Sequence, residues 1–120
     1  MDSKRILFLL RRPPYAGAGA LEALEVALVA GVFDQQVSVL FKDDGVYQLL
    51  SEQDGALLGG RTVSRVLSAL PEYDIDALYV CARSLAERSL DAADLALPVT
   101  VLTVTEQRDL LSAQQLVLND

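Results

Sequence analysis

The only cysteine of the chain lies where a predicted strand turns into a predicted helix. The mostly apolar run Ile75–Val80 ends at Cys81, and the residues from there to Arg88 have a helical pattern. In a parallel α/β sheet, the carboxyl ends of the strands are where ligands and reactive groups gather. The unpaired N–H groups at a helix amino end also favour a thiolate. This junction therefore places the cysteine sulfur at a strand end and helix start, where a thiolate is favoured and could react.

Two interpretations of Cys81 follow from these residues. In the first, the thiolate accepts or passes sulfur, or senses oxidants, and Arg83 and Arg88 help to hold the anion. In the second, Cys81 is a small buried residue that ends a strand, which is a common place for a free cysteine. The neighbouring Val80 and Ala82 do not distinguish between the two.

Arg11 and Arg12 follow the first predicted strand, at the sheet edge where many α/β proteins bind phosphate. The next two residues are prolines, which remove two backbone N–H donors. The stretch Gly17–Gly19 supplies the nearby glycines and is a weak signal for a phosphate loop. We therefore expect no nucleotide, flavin or other cofactor, and interpret the arginine pair as solvated or as an interface contact to an acidic neighbour.

Asp43, Asp44 and Gly45 come after the second predicted strand. Two carboxylates there could hold magnesium, but a helix cap and turn is the favoured interpretation, with Tyr47 and Gln48 at the surface. No metal is expected, because one cysteine without any histidine cannot build a zinc site. The glycine-bearing segment Gln53–Arg61 is a lid or contact loop, or else a plain connection.

Composition narrows the possible functions. The 120 residues carry a net charge of −7, which disfavours direct contact with nucleic acid. The absence of histidine removes the usual general base at neutral pH. The chain is 52% hydrophobic, which indicates either surface buried against other subunits or an alanine- and leucine-rich core. A single cysteine fits a reducing, cytoplasmic setting.

The amino end does not read as a targeting or membrane segment. The apolar run Ile6–Leu10 is too short for a signal peptide and is followed by two arginines and two prolines. Glu22 and Glu25 argue against a twin-arginine signal. No run is long and uncharged enough to cross a bilayer, so we expect a protein without membrane contact.

Strand and helix signals alternate along residues 1–120, which predicts one α/β domain. It has a five-stranded, mainly parallel sheet with helices on both faces and right-handed connections. The predicted strands are Ile6–Leu10, Val37–Phe41, Ile75–Val80, Pro98–Val104 and Gln115–Leu118. The predicted helices are Ala20–Phe33, Val46–Ser51, Val63–Leu70, Ala82–Leu90 and Thr105–Ser112, and the buried stripe of the first comprises Leu21, Leu24, Ala27, Leu28 and Val32.

Several stretches together resemble a known family. Most of the similarity lies in the stretch Phe41–Leu50 and in a second stretch made of Tyr79–Ala82, Ser84–Leu85 and Glu87–Arg88. It is supported by Lys4–Ile6, Leu70 and Tyr73–Ile75. Taken together, they resemble the TusC/DsrF group of the DsrE/DsrF/DsrH-like sulfur relay family. One departure is Ser89, where many relatives have glycine.

The resemblance implies a flavodoxin-like fold and a hetero-oligomer with TusB-like and TusD-like sister subunits, commonly a dimer of heterotrimers. Such a complex passes persulfide sulfur from a TusA-type carrier to a TusE-type carrier, for 2-thiolation of the wobble uridine in tRNA. The main sulfur-carrying cysteine of the family belongs to the TusD (DsrE) subunit, at the strand end that Cys81 occupies here. The resemblance therefore implies a supporting subunit, either non-catalytic or accessory. The alternatives are a DsrF-type subunit in dissimilatory sulfur oxidation and a nucleotide-binding flavodoxin-like module.

Overall fold

Five parallel strands form the centre of the protein. The computed structural model describes residues 4–13, 19–33, 35–50 and 60–119. Within these ranges the sheet has the order β4-β3-β2-β1-β5, and every strand pair is parallel. The strands are β1 (Arg5–Leu10), β2 (Gln36–Phe41), β3 (Ala77–Cys81), β4 (Thr100–Leu102) and β5 (Leu116–Asn119). The predicted five-stranded parallel α/β sheet is confirmed.

The middle strands are apolar because both faces of the sheet are covered. In β1, Leu7 and Leu10 are almost fully buried, and so are Val39 and Phe41 in β2 and Val80 in β3. Continuous apolar runs of this kind are typical of parallel strands packed on both sides. Each such side chain stabilises the fold by about 1.5–3 kcal/mol relative to leaving it in water. The sheet is therefore a rigid base for the residues at its carboxyl edge.

In the described residues, four α-helices and three 3-10 helices connect the strands. The α-helices are α1 (Gly19–Val32), α2 (Gly60–Ala69), α3 (Ala82–Glu87) and α4 (Val104–Ser112). The 3-10 helices are Asp43–Leu49, Leu70–Tyr73 and Ala92–Asp94. In the described part of the chain, no helix is long and apolar enough to span a membrane.

Some predicted helix starts are wrong. The short helix predicted from Val46 is a 3-10 helix that begins three residues earlier, at Asp43, and its N-cap, Lys42, makes no side-chain capping bond. In α4 the cap is Thr103, two residues before the predicted start, because Thr103 and Glu106 form a reciprocal capping box. Helix α2 begins at Gly60, three residues before the predicted Val63.

Two predictions concern residues outside the described ranges. Most of the glycine-bearing segment predicted at 53–61 lies there, and only its last two residues belong to α2. Gly17 and Ala18 of the weak glycine signal also lie outside the described residues.

Candidate functional site

Cys81 is the last residue of β3 and the N-cap of α3. Its sulfur accepts a hydrogen bond of 3.4 Å from the backbone N–H of Ser84, as the oxygen of a serine or aspartate cap would. The predicted position at a strand end and helix start is therefore observed. The residue is only 1% exposed, so the thiol lies beneath the surface of the chain.

Two polar side chains that are themselves buried surround the sulfur. Ser84 comes from α3 and Gln107 from α4, and the side chains of both act to lower the pKa of the thiol. The Ser84 hydroxyl oxygen also accepts a hydrogen bond of 2.9 Å from the backbone N–H of Asp43. The Gln107 amide donates to the carbonyl of Leu102 at 3.1 Å. The thiol is thus part of a network that joins β3, β4, α3 and α4.

This network changes the acidity of the thiol. Burial acts to raise the pKa of Cys81, because a charged sulfur is poorly solvated there. Hydrogen bonds from the side chains of Ser84 and Gln107 and from the backbone N–H groups of Ser84 and Arg83 outweigh that effect. The pKa of Cys81 therefore lies below its ordinary value of 9.0. The site favours a thiolate but does not expose it to a second reactant.

The two arginines predicted to hold a sulfur anion have carboxylate partners. Arg83 pairs with Glu87 at 3.2 Å, and both side chains are largely exposed on α3. Arg88 pairs with Asp44 at 2.9 Å, donates to the carbonyl of Ser84 at 3.1 Å and lies over the Tyr47 ring. The hydrogen bond that Arg88 donates to Asp44 raises the pKa of Arg88 above its already high value. A role for these arginines beside sulfur stays a prediction.

Asp43 and Asp44 bind arginines and do not cap the 3-10 helix, so the predicted cap is wrong. Asp43 pairs with Arg11 at 2.8 Å, and Asp44 pairs with Arg88. Asp43 has a positive φ of 51°, which aspartate tolerates better than most residues do. This turn ties the end of β1 to α3, and the acidic partner of Arg11 is a residue of its own chain. An interface contact of the arginine pair stays a prediction.

Gly45 lets the same turn lie against the sheet. A Cβ atom at this position would collide with the backbone carbonyl of Leu10. The Leu10 oxygen also accepts a hydrogen bond from the backbone N–H of Lys42 at 3.0 Å, which fixes the approach of the turn. The two sequence stretches that carry the family resemblance therefore pack on each other at the carboxyl edge of the sheet.

The burial of two glutamines was not predicted from the sequence. Gln48, expected at the surface, is only 1% exposed and donates to the carbonyl of Arg12 at 2.9 Å. Gln107 precedes Leu110 and Leu111 by three and four residues, so it falls on the inward stripe of α4. An amide on an apolar stripe is the signal that could have identified Gln107 as a buried polar residue with partners.

Comparison with known proteins agrees with this fold. The profile of the DsrE/DsrF-like family matches residues 4–119 of the chain. The chain belongs to the DsrE/DsrF-like family. The TusC homolog of Pseudomonas aeruginosa (strain PAO1) is 44% identical over 116 residues, 97% of this chain and 98% of that protein. The intracellular sulfur oxidation protein DsrF of Allochromatium vinosum is 44% identical over 92 residues, 77% of this chain and 68% of that protein.

Solved structures share the architecture at low sequence identity. The ychN protein of E. coli matches with a TM-score of 0.78 and 16% identity, covering 98% of this chain and 99% of that one. The MTH1491 protein of Methanobacterium thermoautotrophicum matches with a TM-score of 0.68 and 16% identity, covering 99% of this chain and all of that one. These similarities show the fold, and the closer TusC and DsrF relatives identify a sulfur relay family subunit.

Proposed function

We propose that the protein is a supporting subunit of a TusBCD-type complex. The complex passes persulfide sulfur from a TusA-type carrier to a TusE-type carrier, and the sulfur is used to thiolate the wobble uridine of tRNA. The observation that carries this proposal is the 44% identity to a TusC homolog over nearly the whole of both chains. The proposal includes TusB-like and TusD-like sister subunits, a dimer of heterotrimers and a cytoplasmic setting.

The supporting role is favoured by the surroundings of Cys81. In persulfide transfer, an acceptor thiolate attacks the outer sulfur of the donor, a new S–S bond forms, and the donor leaves as a thiol. That attack needs an accessible sulfur. Cys81 is buried, and its sulfur already accepts a hydrogen bond from the backbone N–H of Ser84. We infer that Cys81 stabilises the β3–α3 junction and that a sister subunit supplies the sulfur-carrying cysteine.

The charge of the chain fits an indirect role toward tRNA. A net charge of −7 repels a phosphate backbone, so the sulfur carriers and not the tRNA are the expected contacts of the complex.

The test is 2-thiouridine in tRNA from a strain that lacks the gene. The strain is complemented with the wild-type chain or with the Cys81→Ser variant, and 2-thiouridine is measured by mass spectrometry of digested tRNA. If the wild-type chain and the Cys81→Ser variant both restore full thiolation, the result agrees with a supporting subunit. Loss of thiolation with the serine variant, when that variant still assembles with its partners, would make Cys81 a sulfur carrier. Normal thiolation in the deletion strain itself would reject the tRNA role.

A DsrF-type role in dissimilatory sulfur oxidation is the second candidate. It is favoured by the equal 44% identity to the Allochromatium vinosum DsrF protein, over a shorter stretch. Oxidation of stored sulfur by the same deletion strain separates the two functions, because a tRNA-thiolation subunit leaves that rate unchanged.

A further inference from the structure

Helix α1 is apolar on two opposite faces. Leu24 and Ala27 point inward and are fully buried against the sheet and the neighbouring helix. The opposite face, which we call the α1 outer face, consists of Val26, Val29 and Val32 of the helix and of Phe33 directly after it, exposed by 51%, 56%, 58% and 70%. Val32 was predicted on the buried stripe, and that prediction is wrong. Apart from Glu22 and Glu25, the residues of α1 are apolar, and a helix of this kind is normally covered on more than one side.

The apolar surface continues beyond the helix. A shallow groove beside α1 is lined by Phe8, Ala23, Val26 and Leu118, so Val26 belongs to both the groove and the outer face. The groove borders β5, which is an edge strand of the sheet, and Leu116 of that strand is 45% exposed. A single exposed valine needs no explanation, but a continuous apolar surface of this kind marks an interaction site.

The charges around this surface indicate what covers it. Glu22 and Glu25 lie on the exposed side of α1, next to the valines. The sequence between Arg12 and Lys42 contains no lysine or arginine. If two copies of the chain packed α1 against α1, these carboxylates would meet no cation on the opposite helix, whichever way the helices ran. Burying unpaired carboxylates is costly, so a second copy fits this face poorly.

We propose that the α1 outer face binds a different chain, whose contact surface is apolar at its centre and carries lysine or arginine at its rim. The inference rests on the proposed function, because the partner is then a sister subunit of the relay complex. Phe33 and Val29 supply the central apolar contacts, and Glu22 and Glu25 set the orientation of the partner through charge.

The experiment uses the whole complex. The chain is co-expressed with the TusB-like and TusD-like chains of its source organism, and the amount recovered on a tagged TusD-like chain is quantified. The test variant is Val26→Ser/Val29→Ser/Phe33→Ser. The matched control is Val101→Ser/Val104→Ser, which removes two exposed valines at β4 and the start of α4. We expect recovery to fall at least about ten-fold with the test variant and to be unchanged with the control.

A charge variant keeps the test valid if the triple variant folds poorly. Glu22→Lys/Glu25→Lys alters only exposed side chains, and we expect it to lower recovery several-fold, with the loss largest at low salt. Circular dichroism and the thermal midpoint of each purified variant show whether the fold is retained.

Three results would overturn the inference. Wild-type recovery of the folded triple and charge variants would show that the partner binds elsewhere, and the proposed function would stand. Failure of the wild-type chain itself to co-purify would reject both the inference and the proposed subunit role. A wild-type homodimer that the triple variant converts to monomer, with hetero-complex formation unchanged, would show that a second copy covers the face.

Discussion

The hydroxyl oxygen of Ser84 accepts a hydrogen bond of 2.9 Å from the backbone N–H of Asp43. The two residues are 41 positions apart, and the backbone N–H of the same serine donates to the Cys81 sulfur at 3.4 Å. Ser84 is therefore the point where the acidic turn after β2 meets the helix that begins at the cysteine. This contact links the two stretches by which the family is identified from sequence.

Replacing Ser84 with alanine tests this link. The Asp43 N–H would lose its acceptor, so we expect Ser84→Ala to lower the free energy of unfolding by about 1–3 kcal/mol. The pKa of Cys81 should rise at the same time, because a hydrogen bond that lowers it is lost. Urea unfolding and thiolate absorbance against pH measure the two effects.

Ser112→Ala is the matched control for that variant, since Ser112 is exposed and its hydroxyl donates only to the Arg108 carbonyl of its own helix. It should change the free energy of unfolding by less than about 0.5 kcal/mol. Equal effects of the two substitutions would show that Ser84 does not join the turn to α3.

Gly45→Ala should be among the most damaging single substitutions in the chain. Its Cβ would meet the rigid carbonyl of Leu10, and we expect a loss of about 3 kcal/mol or failure to fold. Gly31→Ala is the matched comparison, because its nearest contact is the Ile75 Cδ1 atom at 3.0 Å, the end of a flexible side chain. The Tyr73 carbonyl lies at 3.1 Å, and alanine is the better helix former.

We therefore expect Gly31→Ala to lower the free energy of unfolding by less than about 1 kcal/mol. Urea unfolding of both variants gives the comparison. A smaller effect at position 45 than at position 31 would contradict the packing of the turn against β1.

The backbone conformation of Ser89 explains why many relatives have glycine at this position. Its φ is 54°, in the left-handed region, and it follows the α3 C-cap Arg88. The N–H groups of Leu90 and Ser89 bond the carbonyls of Leu85 and Ala86, which is the Schellman arrangement that favours glycine. Ser89→Gly should therefore raise the free energy of unfolding by about 0.5–1 kcal/mol.

The control for that substitution is Ala86→Gly, inside the right-handed part of α3, which should lower the free energy of unfolding by about 1 kcal/mol. Chemical denaturation gives the free energies of unfolding of the two variants. If both substitutions lower that free energy, position 89 is not held in the left-handed conformation.

The sequence predicts the sheet well because its signals are local. The apolar runs of β1 and β2 are bounded by charged or turn residues, and alternation with helices implies parallel pairing. The position of Cys81 at a strand end follows from the same pattern.

The site itself depends on contacts that no local pattern contains. The pairing of Arg88 with Asp44 joins residues 44 positions apart, and it uses the carboxylate that the sequence predicts as a helix cap. The burial of Gln48 depends on the Arg12 carbonyl, on a different element. The exposure of Val32 arises because the inward direction of α1 is set by the sheet and not by the helix alone.

The pH dependence of stability tests the environment of Cys81. Because the pKa of its thiol is lower in the folded chain than the ordinary 9.0, the unfolded chain binds more protons between those two values. The stabilising contribution of the thiolate is therefore absent well below the lowered pKa, grows as the pH rises through it, and is complete above 9.0. Wild-type and Cys81→Ala proteins differ in this group alone, so the difference in their free energies of unfolding isolates it. Urea unfolding of both proteins between neutral pH and pH 10 should show that difference increasing with pH, and a decrease would mean that burial outweighs the hydrogen bonds from Ser84 and Gln107.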